Sequence, residues 1–214
     1  WVVPGFVDVH VHGGCGSDAM DADSRSLDTI AAGLAAHGVT AFCPTTMTMP
    51  PDRVEAALDA IKDAMVAGGD GAVVLGAHLE GPFISPDRVG AQDGAFVRRP
   101  DPDLVRRRQD ALRLVTFAPE EDDGGIFLRA LLEAGVVPSV GHSRATYEQA
   151  MQAFRRGAES TTHLFNGMPP FHHRTPGVAG AALDADVFCE LIADGVHSHP
   201  SVFRLVHAVK GLDR

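Results

Sequence analysis

The sequence predicts an α/β protein whose parallel sheet is covered by helices. Two observations carry this. Short apolar runs rich in β-branched residues alternate with stretches of helical period, about seven times along the 214 residues. Most of the helical stretches end on glycine, at Gly38, Gly68, Gly135, Gly157 and Gly211, the residue that takes the left-handed conformation closing a helix. Seven strands fit a (β/α)8 TIM barrel without its last strand, or a doubly wound sheet. No GxGxxG or GxxxxGK[ST] occurs, which disfavours a nucleotide-binding sheet.

The expected strands, in order, are Phe6–Val11, Val39–Cys43, Ala72–Leu79, Leu112–Phe117, Val136–Val140, Ser160–Leu164 and Phe188–Ala193, each bounded by Gly, Pro or Asp. Between them, apolar residues recur at helical spacing and should face the core. These are Leu27, Ile30, Ala31 and Leu34; Val54, Leu58, Ile61 and Met65; Tyr147, Ala150, Met151 and Phe154; and Val202, Leu205, Val206 and Val209. Two connections, roughly 81–100 and 165–177, are longer than most and are expected to carry function.

Composition narrows the classes. Hydrophobic content of 45% and charged content of 21% suit a globular domain, here one catalytic unit over residues 1–214. A net charge of −10 argues against nucleic acid or anionic membrane as a partner. Cys15, Cys43 and Cys189 are odd in number and widely spaced, as in a reducing compartment, and no signal peptide or membrane span is read, so the cytoplasm is expected. The chain begins at Trp1 already entering a strand and stops at Arg214 just past a helix. It is expected to be a piece of a longer protein.

The histidines fall where a barrel places its chemistry, at the carboxyl ends of strands. His10 and His12 end the first strand, Glu80 follows the third, His142 the fifth, His163 ends the sixth and His197 follows the seventh. Period-two geometry puts His10 and His12 on one side of their strand. Neutral imidazoles with a carboxylate suit zinc, and iron or manganese with less preference. His78 is expected to be core or a support for a ligand. His37 and His207 are expected to be structural, and His172, His173 and His199 to be solvated in loops. Only Lys62 and Lys210 occur, both on helices, so Glu80 rather than a carboxylated lysine is the available metal-bridging group.

These residues resemble a known family. PGFVDVHVHG from Pro4 is similar to the first strand of the amidohydrolase superfamily. HLEGPF from His78, GHS from Gly141, THLFNGMPP from Thr162 and DGVHSHP from Asp194 resemble the N-acetylglucosamine-6-phosphate deacetylases within it. The resemblance implies a (β/α)8 barrel flanked by a small β-sandwich that lies outside this chain. It also implies hydrolysis of the acetamide of N-acetylglucosamine 6-phosphate. By motif, Glu80, His142 and His163 correspond to ligands of the main divalent metal, and His10 and His12 to ligands of a second, giving one or two ions per subunit. Ala91, Asn166, Gly167, Arg174 and His197 fall at substrate-contacting positions. The arginine is expected to reach a neighbouring subunit's phosphate in a homodimer.

Two departures stand out. Gln92 occupies a position where the family often has histidine. The family's catalytic aspartate belongs to a Thr-Asp-Ala segment expected beyond Arg214, and Asp194 and Asp213 are poor substitutes. The 214 residues alone are therefore expected to be weakly active or inactive. Another amidohydrolase of N-acyl compounds and a non-catalytic metal-binding remnant are the competing readings. Cys15, three residues past His12, is expected to pack in a loop rather than reach the metal.

Overall fold

A computed structural model describes residues 2–214. Its parallel strands are β1 (Phe6–Val11), β2 (Val39–Pro44), β3 (Ala77–Glu80), β4 (Leu112–Phe117), β5 (Val137–Val140), β6 (Ser160–Thr161) and β7 (Phe188–Cys189). The helices following them in turn are α1 (Ser24–Ala36), α2 (Pro51–Ala67), α3 (Pro102–Arg108), α4 (Ile126–Glu133), α5 (Tyr147–Arg155), α6 (Gly177–Asp184) and α7 (Pro200–Lys210). β1 pairs with β2, and β3 through β7 pair in sequence order, all parallel. A bridge between Thr45 and His78 joins β2 to β3. Sequential parallel pairing excludes the doubly wound alternative and gives an incomplete α/β barrel. Among the described residues β1 and β7 do not pair with each other, and Val7 and Phe188 on those edges are 56% and 51% exposed.

Several strands are shorter than the apolar runs suggest. The third run divides: Val73–Val74 pairs with β2, and the chain breaks at Gly76, whose φ of 135° is closed to other residues, before β3 begins. The sixth and seventh runs leave the sheet early, because His163 turns into positive φ and the segment after Cys189 opens toward the barrel mouth.

Local chemistry explains the helix starts. Asp23 caps α1 by accepting from Ser26 N at 2.8 Å, and Thr146 with Gln149 forms a reciprocal capping box on α5. His199 is an exposed loop residue, as expected, and also accepts from Ser201 N at the start of α7. Between sheet and helices lies the core. Leu79, Val115, Phe117 and Val140 from the strands meet Leu58, Ile61, Phe127 and Leu131 from the helices, all fully buried. Each such side chain contributes about 1.5–3 kcal/mol. α7 departs from expectation: Val206 is buried, but Leu205 and Val209 are each 52% exposed, because the helix leans on α6 and nothing else described covers that face. No helix among the described residues is long and apolar enough to cross a membrane.

Candidate metal centre

Inside the barrel the strands carry polar residues. His78, fully buried, uses both ring nitrogens: Nδ1 bonds Val9 O at 3.0 Å and Nε2 bonds Thr116 Oγ1 at 2.7 Å. Thr116, Thr162 and Ser139 continue a chain of hydroxyls at 2.6 and 2.7 Å. With both nitrogens engaged, His78 is a support beneath His10, their ring centroids 4.6 Å apart, and not a ligand. Burial is the main reason its pKa lies well below the usual imidazole value, with His10 adding to it.

Glu80 ends β3 directly above this layer and is 2% exposed. Its Oε1 lies 3.1 Å from His142 Nε2, 3.0 Å from His163 Nε2 and 3.5 Å from His10 Nε2; its Oε2 lies 3.1 Å from His12 Nε2. One carboxylate thus belongs to two triads, Glu80–His142–His163 and His10–His12–Glu80. His142 and His163 reach it because each has positive φ, 46° and 32°, where the chain turns off its strand. Such conformations cost on the order of 1–3 kcal/mol and cluster at functional sites.

The rings are held from behind. Nδ1 of His142 bonds Arg88 O at 2.8 Å, Nδ1 of His12 bonds Thr45 O at 3.1 Å, and Nδ1 of His10 bonds Glu190 Oε2 at 3.3 Å. These partners are acceptors, so the network assigns the ring proton to Nδ1 and turns each Nε2 lone pair toward Glu80. Gly90 and Gly167 flank the His142 ring; a Cβ on Gly167 would lie 3.0 Å from its Nδ1.

This donor set fits divalent metal. His142 Nε2 and His163 Nε2 are 3.1 Å apart, and His10 Nε2 and His12 Nε2 are 3.3 Å apart. Ligands about 2.0–2.1 Å from one tetrahedral ion stand roughly 3.3 Å from each other. The electrostatics agree. Burial alone would raise the pKa of Glu80, but its bonds to His10, His12, His142 and His163 outweigh that and hold it well below the usual carboxylate range. Burial also opposes charge on His10, yet its hydrogen bonds to Glu190 and Glu80 push its metal-free pKa up to about 10.

A cavity of about 960 Å³ opens beside both triads, between the ends of β1 and β7. Of the expected substrate-contacting residues, Ala91, Asn166, Gly167 and His197 line it. His197 is fixed by Asp194, whose Oδ2 bonds its Nδ1 at 2.6 Å. Arg174 does not line the cavity. It lies exposed in the turn His172–Thr175, with its guanidinium 3.0 Å from His173 Nε2. Cys15 packs over Gly33 of α1 and belongs to neither triad. Lys62 pairs with Asp110 at 2.6 Å, and Lys210 bonds Ala182 O and Ala185 O, so neither serves the centre.

Glu190 escapes sequence reasoning, and Gln92 stands out there only as a departure from the family, without a role. Glu190 lies inside the expected strand Phe188–Ala193, whereas β7 ends at Cys189 and presents Glu190 as the next residue, as β3 presents Glu80 at its end. Gln92 sits in a long loop yet is 6% exposed and donates to Glu80 Oε2 at 2.6 Å.

Residues 1–212 match the profile described as the Amidohydrolase family. The N-acetylglucosamine-6-phosphate deacetylase of Bacillus subtilis (strain 168) is 42% identical over 98% of this chain and 55% of its own length. The N-acetylgalactosamine-6-phosphate deacetylase of Escherichia coli O157:H7 is 41% identical over 94% of the chain and 55% of its own length. A mutant N-acetyl-D-glucosamine-6-phosphate deacetylase from Mycobacterium smegmatis, solved in complex with N-acetyl-D-glucosamine-6-phosphate, superposes with a TM-score of 0.92 at 38% identity, covering 98% of this chain and 55% of that one. The chain therefore spans about half the length of the relatives it matches. The match along residues 1–212 and the likeness of fold establish that this chain belongs to the amidohydrolase family.

Proposed function

We propose that the full-length protein hydrolyses the acetamide of N-acetylglucosamine 6-phosphate, releasing glucosamine 6-phosphate and acetate. In this reading it works in the cytoplasm as a homodimer, with residues 1–214 forming one catalytic barrel domain. The observation that carries the reaction class is Glu80 shared by two histidine triads beside an open cavity. The substrate class rests on relatives about 40% identical that are named for 6-phosphorylated N-acetylhexosamines.

An amide resists hydrolysis because its carbonyl is poorly electrophilic and its nitrogen leaves poorly. Glu80, His142 and His163 hold the main metal and His10 and His12, with Glu80, a second; zinc suits this donor set, with iron or manganese as alternatives. A divalent ion held there supplies Lewis acidity, activating water and polarising a carbonyl oxygen. Asn166 and Gly167 offer amide groups to the sugar, with Ala91 on the facing wall. His197, oriented by Asp194, takes the phosphate, and Arg174 reaches the phosphate bound by a neighbouring subunit, its planar fork suited to that task. A carboxylate must accept the water's proton and pass it to the departing amine. The resemblance assigns this to the aspartate of a Thr-Asp-Ala segment beyond Arg214.

The 41% identical relative named for the galactosamine isomer favours a second reading, the C4 epimer as substrate. Steady-state assays of the full-length protein on both phosphorylated epimers and on unphosphorylated N-acetylglucosamine test these readings. The proposal expects the highest kcat/KM on N-acetylglucosamine 6-phosphate, and a raised KM for it in Arg174→Ala and His197→Ala. Equal turnover of the unphosphorylated sugar would overturn the phosphate roles, and preference for the galactosamine isomer would favour the second reading.

A further inference from the structure

One carboxylate can serve two triads only if it is held in one orientation. The last torsion of a glutamate is soft, and a free carboxylate rotates toward whichever partners attract it more. Glu80 has two buried imidazoles, His142 and His163, close to Oε1, with the more exposed His10 further from that oxygen and the still more exposed His12 at Oε2. Left free, it would favour the buried pair.

Gln92 removes that freedom. Its Nε2 donates to Glu80 Oε2 at 2.6 Å, and its Oε1 accepts the backbone N–H of Thr48 at 2.5 Å. A backbone N–H can only donate, so the amide oxygen must face Thr48 and the amide nitrogen must face Glu80; the flipped amide would oppose donor to donor and acceptor to acceptor. The amide is therefore locked between a fixed backbone group and the carboxylate. Its bond to Glu80 is charge-assisted, the stronger kind. It acts on Oε2, the oxygen facing His12, and leaves Oε1 to His142 and His163, with His10 further off at 3.5 Å.

The geometry points to Gln92 as the positioning residue that holds Glu80 across both triads and so sets how many divalent ions the centre keeps. Gln92 is not itself a ligand: its oxygen is taken by Thr48 and its nitrogen has no lone pair to give. The inference rests on the metal-centre reading and deepens it. Without Gln92, Glu80 turns toward His142 and His163, and the His10–His12 triad loses Oε2, the oxygen that faces His12. The loss falls on one ion and spares the other.

The test is titration of the chelator-stripped full-length protein with Zn²⁺ against a competing chelator, for wild type, Gln92→Leu and Gln92→Asn. Leucine keeps the volume and removes both bonds. Asparagine keeps an amide in the pocket but is one methylene too short to reach both partners, so it decides the matter if the leucine variant does not fold. Wild type is expected to take up about two ions. Each variant should bind the weaker ion about 10–100-fold more weakly, in the range found for outer-shell partners, with the tighter ion nearly unchanged. Two ions at wild-type affinities in a folded variant would overturn the role of Gln92. So would an equal weakening of both ions together with a lowered metal-free melting temperature, the mark of a general packing role. A wild type that takes up no metal would overturn the metal-centre reading itself.

Discussion

Replacing Glu190 with glutamine tests the support behind His10. Glu190 Oε2 lies 3.3 Å from His10 Nδ1, and both side chains are 17% exposed, so the contact is largely withdrawn from solvent. The carboxylate does two things there. It fixes the ring proton on Nδ1, which turns the Nε2 lone pair toward Glu80 and His12, and it raises the basicity of that lone pair. Glutamine keeps the shape but removes the charge, and its amide can equally face the ring as a donor, which would favour the wrong tautomer. Outer partners of this kind are worth about 10–100-fold in metal affinity, or roughly 1.4–2.7 kcal/mol. The loss should fall on the ion held by His10, His12 and Glu80, because Glu190 has no bond to His142 or His163. Isothermal titration of the metal-free full-length protein with Zn²⁺ would separate the two ions. Unchanged affinity for both, or loss confined to the tighter ion, would refute the reasoning.

Two further outcomes follow from the same geometry. Gly167→Ala places a Cβ 3.0 Å from His142 Nδ1 at a residue whose φ is 61°. The left-handed conformation costs roughly 1–2 kcal/mol for a residue with a side chain, and the contact pushes the ring off the line to Glu80. Melting temperature should fall by about 2–8 °C, with weaker metal binding at the His142–His163 triad. An unchanged melting curve would show that the loop closes differently. Asp194, held by the backbone N–H groups of His197 and Val196 and by the His197 ring, has its pKa lowered to about 2. Its contribution to holding this turn is present above about 4, the ordinary aspartate value, and fades as pH falls toward 2. A carboxyl-carbon NMR titration with a midpoint near 4 would show that the turn is not formed.

Much of this architecture is legible in the residues because period and punctuation are local properties. Alternating strand and helix patterns, with glycines at the helix ends, give the order of elements, and the strand-end rule gathers His10, His12, Glu80, His142 and His163 onto one face. What escapes is decided by long-range contact. The run Ser160–Leu164 carries two β-branched threonines and reads as strand, but its sheet pairing stops at Thr161, because the turn at His163 is set by the ring it must present. The apolar stripe of α7 is real, yet stripe and burial are different properties, and burial needs a neighbour that the described residues do not supply. Gln92 and Glu190 matter only through atoms 12 and 180 residues away in sequence. Gln92 is marked only as a departure from the family's histidine, with no hint of its partners, and Glu190 only by following a strand shorter than its apolar run suggests.

The central claim is that Glu80 serves two triads, each able to hold an ion. Its most direct measurement is the metal content, by inductively coupled plasma mass spectrometry, of the full-length protein and of the same protein with His10→Gln and His12→Asn. The account predicts about two ions per subunit falling toward one, with the remaining ion held by Glu80, His142 and His163. Equal metal content in the two proteins would contradict it and return His10 and His12 to being the polar end of a strand.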